Sequence, residues 1–204
     1  MRVLRTAISL LVLCLGVAAS TARAAERVDL ALVLASDVSR SVNTEKFRLL
    51  RQGYAAAITN PRVMAAVRSG PHRRIAVAFV EWSGAASQKG VVDWTVIDGP
   101  EAAHAFGARL LEAPRPFLGH TAIGAGIDFA VTLLAKAPYF AERQAIDVSG
   151  DGPNNDGPPV AQARDVNRRW LGAVAMGRPW VIAKWAQTLD GRTAAADGTS
   201  FWVT

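Results

Sequence analysis

Asp37, Ser39 and Ser41 stand at alternate positions in the stretch LASDVSRSV, residues 34–42, directly behind an apolar run. A carboxylate followed by two hydroxyls offers oxygen and nothing softer, the donor set taken by a small hard cation such as magnesium or manganese. Alternate spacing turns Ser39 and Ser41 inward together and sends Arg40, between them, outward. Two further oxygen donors sit in turn-like stretches, Thr121 in Gly119-His120-Thr121 and Asp151 in Gly150-Asp151-Gly152. The same Asp-x-Ser-x-Ser spacing also suits a helix-capping loop, because Asp and Ser favour cap positions. Where the surrounding elements put these loops decides between the two.

Residues 28–35, VDLALVLA, form a nearly continuous apolar run of strand length, as expected of a parallel strand covered on both faces. Asn43 or Thr44 can cap a following helix in which Phe47, Leu50, Tyr54, Ala57 and Ile58 recur at helical spacing until Asn60-Pro61 stops the pattern. Two β-rich runs, 75–82 and 91–97, flank Ser83-Gly84 and Lys89-Gly90 and predict a hairpin. Residues 100–111 and 122–135 read as helices, 114–120 as the loop between them, and 144–149 as another strand. The turn-rich 150–159 ends where a further helix can start, near Val160. Strands alternating with helices predict an α/β fold: a doubly wound, mostly parallel sheet with helices on both faces. In such a sheet ligands bind at the carboxyl ends of the strands, where Asp37, Thr121 and Asp151 would all arrive.

At this point the chain resembles the von Willebrand factor A domains, whose metal-ion-dependent adhesion site has an Asp-x-Ser-x-Ser, a threonine and a further aspartate. More narrowly, VDLALVLASDVSRSV, VAFVEWSG and AIDVSGDGPNND are similar to a bacterial secreted family of unknown function, over residues 28 to about 166. The resemblance implies a cation contacted by Ser39, Ser41 and Thr121, with Asp37 and Asp151 acting through water. It leaves a coordination position for an acidic group of a partner.

The ends and the composition set the frame. Arg2 and Arg5 precede an apolar run over residues 7–19, and Ala22-Arg23-Ala24 has the small-x-small pattern of a cleavage site, so residues 1–24 read as a secretory signal. The run is shorter than the roughly 20 residues that span a bilayer. Cys14 follows Leu13 rather than the small residue that lipid attachment takes, so the mature chain is expected to lack cysteine and to be periplasmic or secreted. Residues 25–167 are expected to form one domain. The signal carries three of the 23 basic residues and no acidic one, leaving a mature excess of +3 over the 17 acidic residues. Those bases are scattered instead of interleaved with aromatics on one strand surface, so nucleic acid is not the expected partner.

Other constellations do not hold together. In the loop from Asp151, Pro153 stands at the third position of a calcium loop and Ala163 at the twelfth, where a glutamate is required. Asn154, Asn155 and Asp156 read as turn residues bonding local amides. His72, His104 and His120 are too dispersed for zinc, and there is no Gly-x-Ser-x-Gly elbow, dinucleotide loop or Walker lysine. Glu81 reads as an outward or edge-facing charge and Asp147 as a carboxylate needing donors or a strand end; Trp82 and Trp94 read as hairpin core.

The expected function is therefore cation-dependent binding of a protein or peptide offering an acidic side chain, not catalysis. The alternatives are a metal-assisted hydrolase and a structural exported domain with a vestigial metal site. From about residue 168 the periodicity blurs, and Trp170, Trp180, Trp185 and Trp202 place four of the six tryptophans in the last 37 residues. The tail 168–204 is expected not to complete the fold's last strands, as in a truncated or frame-shifted chain.

Overall fold

A computed structural model describes residues 25–162 and the backbone of 181–184. The chain runs β1 (Glu26–Asp37), α1 (Thr44–Ile58), α2 (Pro61–Arg68), β2 (Ile75–Trp82), β3 (Gln88–Ile97), α3 (Pro100–Glu112), α4 (Ile123–Ala135), β4 (Tyr139–Ser149) and β5 (Val181–Lys184). The five-stranded sheet has the order β3-β2-β1-β4-β5. β1 pairs parallel with both β2 and β4, β4 pairs parallel with β5, and β3 returns antiparallel to β2. The doubly wound α/β architecture is thus present, with its reversal between β1 and β4.

Alternation along β1 builds a core on each face. Ala31, Val33 and Ala35 join Ala76, Val80 and Trp82 against Ile123, Ile127, Ala130 and Leu134 of α4. Leu30, Leu32 and Leu34 lie on the opposite side with Ile75, Val77 and Phe79, under Ile58, Met64, Val67, Phe106 and Leu110 from α1, α2 and α3. Side chains of this size stabilise the fold by about 1.5–3 kcal/mol each when fully buried. A Cβ on Gly126 would lie 2.8 Å from the Trp82 ring, so glycine is what allows α4 to approach that indole.

Two boundaries differ from the sequence expectation. Asn60-Pro61 ends α1 but also starts α2, with Asn60 as N-cap accepting from the Arg62 amide and Pro61 in the first turn. The strand expected at 144–149 begins at Tyr139, because the long β1 offers partners back to Glu26. The tail expectation falls mostly outside the described residues. Within them, Val181–Lys184 adds a four-residue strand alongside Gln144–Asp147.

Candidate metal centre

The reversal between β1 and β4 opens a crevice at their carboxyl ends, and Asp37 is the last residue of β1. The chain leaving β1 is tethered on two sides. The Val38 amide donates to the Trp82 carbonyl at 2.8 Å, and the Arg40 amide to the Gly119 carbonyl at 2.9 Å. Asp37 Oδ1 accepts from the Ser39 amide at 2.7 Å, a side-chain turn that folds the loop back over the strand end. Ser39 and Ser41 then face one another with their Oγ atoms 3.0 Å apart, while Arg40 is exposed.

The other two residues complete a continuous polar chain. Thr121 Oγ1 donates to Ser39 Oγ at 3.2 Å, and Ser41 Oγ donates to Asp151 Oδ1 at 2.6 Å. The structure therefore brings Asp37, Ser39, Ser41, Thr121 and Asp151 together from three loops.

Asp37 is 1% exposed, and its Oδ2 is among the buried polar atoms without a hydrogen-bond partner. Burial pushes its carboxyl up to about 6, opposed by the Ser39 amide and hydroxyl and reinforced by the negative charge of Asp151; the Asp151 amide opposes it too, from outside hydrogen-bond geometry to Oδ2. A buried carboxylate oxygen with no donor is costly. Its placement beside hydroxyls that carry spare lone pairs fits a hard cation with oxygen ligands. Asp151 is more open, and its Oδ2 takes the Lys46 ammonium at 3.1 Å.

The turn residues Asn154, Asn155 and Asp156 bond to more than their own loop. Asn155 holds the threonine loop at two points: its Oδ1 accepts from the Thr121 amide at 2.8 Å, and its own amide donates to the Thr121 carbonyl at 2.9 Å. Asn154 Oδ1 accepts from the Gly124 amide at 3.3 Å and Asp156 Oδ2 from the Ala85 amide at 2.9 Å. Hydrogen bonds from the Ala85 and Gly157 amides hold the Asp156 carboxyl below its usual range. These residues are loop scaffolding as expected, but besides the local contacts Asn154–Pro158 and Asp156–Gly157 they reach across to the neighbouring loops. A Cβ on Gly124 would collide with the Pro158 carbonyl, so the helix start and this loop meet through glycine.

Glu81 is the plain correction. It is not outward-facing but 1% exposed, and both its oxygens meet the Arg51 guanidinium, at 2.8 and 2.9 Å. Arg51 also donates to the carbonyls of Leu110, at 3.0 Å, and Ala113 at the end of α3. Arg51 and Arg115 both stack on the Phe47 ring, their guanidinium carbons 4.4 and 4.8 Å from the ring centre. One nitrogen of Arg115 reaches the carbonyls of Val38, Ser39 and Val42 at 2.7, 3.1 and 2.7 Å, which fixes the loop that carries the serines. The signal was there to find: Arg51 interrupts the apolar face of α1 at the spacing of Phe47, and Glu81 interrupts an otherwise apolar strand. Asp147, by contrast, is half-buried near the end of β4, and burial raises its carboxyl.

A family profile described as "Protein of unknown function (DUF1194)" matches residues 27–173. The chain belongs to the DUF1194 family. Its fold is von Willebrand factor A-like. It is 15% identical, with a TM-score of 0.50, to a von Willebrand factor type A protein from Catenulispora acidiphila, over 76% of this chain and 33% of that one. It is 16% identical, with a TM-score of 0.53, to proximal thread matrix protein 1 of the mussel byssus, over 78% of this chain and 39% of that one. A second structure of the mussel protein, 18% identical with a TM-score of 0.52 over the same shares, has a zinc-occupied MIDAS motif. Over short stretches the chain also matches the riboflavin biosynthesis protein RibD, 63% identical over 35 residues in Corynebacterium ammoniagenes and 42% over 43 residues in Aquifex aeolicus. The matched stretches are 17% and 21% of this chain, which spans only 10% and 12% of those relatives. Among the described residues no helix is long and apolar enough to cross a membrane.

Proposed function

We propose that this chain binds a protein or peptide of the bacterial envelope through a divalent cation, magnesium or manganese, held by Asp37, Ser39, Ser41, Thr121 and Asp151. The observation that carries this reading is the unpartnered, buried Oδ2 of Asp37 beside the chain of hydroxyls that runs from Thr121 through Ser39 to Ser41. When bound, the cation would supply an electrophilic centre at which an acidic side chain of the partner completes the shell. The chain's own residues do the rest. Asp37 and Asp151 balance the charge, and the three hydroxyls turn lone pairs toward the centre by rotating their protons away. Arg115 and Asn155 hold the loops so that little ordering is left to binding itself. The zinc-occupied MIDAS motif of the mussel protein, which shares the fold, supports the same use of this crevice. Binding is preferred to catalysis because both carboxylates serve the cation's charge and the line of hydroxyls has no separate base. Export to the periplasm or beyond is part of the same reading, supported by the leader-like pattern of residues 1–24.

The test is capture from an envelope extract on the immobilised chain, in magnesium and in chelator, with wild type, Asp37→Ala and Ser39→Ala. A specific partner should be retained by wild type in magnesium alone. Retention in chelator, or by Asp37→Ala, would sink the reading.

A further inference from the structure

The cation that touches the site is part of the chain. Lys46 lies in the first turn of α1, where the helix dipole disfavours positive charge, and its exposed ammonium spans to Asp151 Oδ2 at 3.1 Å. Its backbone is fixed there, because the Lys46 amide is the donor that Asn43 Oδ1 caps at 2.9 Å. Both oxygens of Asp151 thereby have an internal donor, Ser41 Oγ on one and Lys46 on the other. The remaining basic groups nearby are committed or turned away. Arg115 holds three loop carbonyls, Arg51 holds Glu81, and Arg40 is exposed. Among the described residues, Lys46 is the one cation in an ion pair with a carboxylate of this site.

We infer that Lys46 is an internal counter-ion of the site, exchanged for the divalent cation when that binds. The inference rests on the cation-binding reading above. An ammonium within reach of Asp151 neutralises half of the carboxylate pair, so an incoming ion must displace it and then endure its repulsion at close range. Once released, the ammonium stays at the mouth of the 650 Å³ cavity that runs from Asp37 and Asp151 along Leu49, Leu50 and Tyr54. There it can meet the carboxylate a partner brings. Lys46 thus sets a threshold of cation concentration below which Asp151 is engaged internally.

Magnesium and manganese binding to the purified chain, followed by titration calorimetry in low salt, tests this with wild type, Lys46→Gln and Lys46→Arg. Removing an exposed ion pair and a repelling charge should tighten the ion by roughly 3- to 10-fold in Lys46→Gln, with Lys46→Arg close to wild type. The gap should narrow as ionic strength rises from about 0.01 to 0.15 M, since the screening length shortens from about 30 to 8 Å. Binding by wild type that is unchanged or weaker in Lys46→Gln would overturn the inference and leave the cation site standing. No binding by any of the three would overturn both.

Discussion

Two carboxylates near the ends of adjacent strands are equally hidden, and their surroundings could hardly differ more. Glu81 and Asp37 are each 1% exposed, on strands that pair with Ser36 opposite Glu81 and Asp37 opposite Trp82. Glu81 turns toward α1 and α3, where one guanidinium takes both of its oxygens and ties them to the end of α3. Asp37 turns into the crevice, where one oxygen accepts from a backbone amide and the other has no hydrogen-bond partner. A buried charge that is completely partnered serves the fold; one that is half partnered costs stability and marks a candidate site. The same carboxyl end of the sheet thus holds one acid that is fully partnered and one that is not, and the cation reading rests on the second.

The largest effect that could break this comparison is truncation of the partnered acid. Glu81→Ala would leave the buried Arg51 guanidinium without its counter-charge and should cost about 3–5 kcal/mol in urea unfolding, with Arg51→Ala similar. Asp37→Asn should do the reverse in chelated protein at neutral pH, raising stability because an unpartnered charge is removed while the acceptor for the Ser39 amide is kept. Equal destabilisation by Glu81→Ala and Asp37→Asn would erase the distinction between them.

Titration sharpens the contrast. Folding raises the Asp37 carboxyl from 3.8 to about 6, so the native chain holds this proton more tightly than the unfolded chain does. Its contribution to stability is full below 3.8 and is lost as pH rises through about 6. The fall should be on the order of 3 kcal/mol for chelated protein, read from urea midpoints between pH 4 and 7 against Asp37→Asn, which lacks that slope. Saturating magnesium should flatten it, because the ion favours the charged carboxylate. A wild-type profile parallel to that of Asp37→Asn would place the missing partner of Oδ2 inside the protein.

Cation addition is the next smaller effect. Magnesium at roughly 100 times its dissociation constant adds about 2.7 kcal/mol to a fold that alone binds it, a rise in melting temperature that Asp37→Ala and Asp151→Ala should both abolish. Calcium should add less, since its larger shell needs more oxygens than three hydroxyls and two carboxylates readily offer. Melting that is identical in chelator, magnesium and calcium would leave Asp37 an unexplained strain in the fold.

Much of this was legible before any coordinates, and the reason lies in what periodicity encodes. The apolar runs of β1 and β2 follow from burial on two faces, so their ends, and hence Asp37, could be placed from residue pattern alone. Thr121 and Asp151 could be placed because turn-rich stretches follow recognisable elements. What stayed hidden depends on meetings between distant segments. Arg51 and Glu81 are 30 residues apart, and each looks like an error in an apolar pattern until the other is seen. Arg115 and the carbonyls it holds are separated by 73 to 77 residues, and carbonyls have no side-chain signature at all. Asp-Pro- and Asn-rich loops signal a turn without saying across which gap their side chains bond, which is why Asn155 read as local scaffolding.

Asn155 supplies the smallest and most specific prediction. The comparison of the two acids presumes that the line of hydroxyls is rigid enough for the unpartnered side of Asp37 to matter, and on the threonine side one amide side chain adds to the main-chain bonds that hold it. Asn155→Ala removes the acceptor for the Thr121 amide but leaves the bond from its own backbone to the Thr121 carbonyl, so the loop should loosen without detaching. Loss of one neutral hydrogen bond with a partner left partly buried costs about 1–2 kcal/mol. Magnesium affinity should fall several-fold as well, since Thr121 would have to be ordered on binding. Asn155→Asp keeps an acceptor at the same place and should restore most of the stability. Thermal melting with and without magnesium on both variants separates the two roles: a drop in stability with unchanged magnesium response would make Asn155 a structural residue only, and Thr121 would then be held for the cation by the Ser39 contact and the main chain alone.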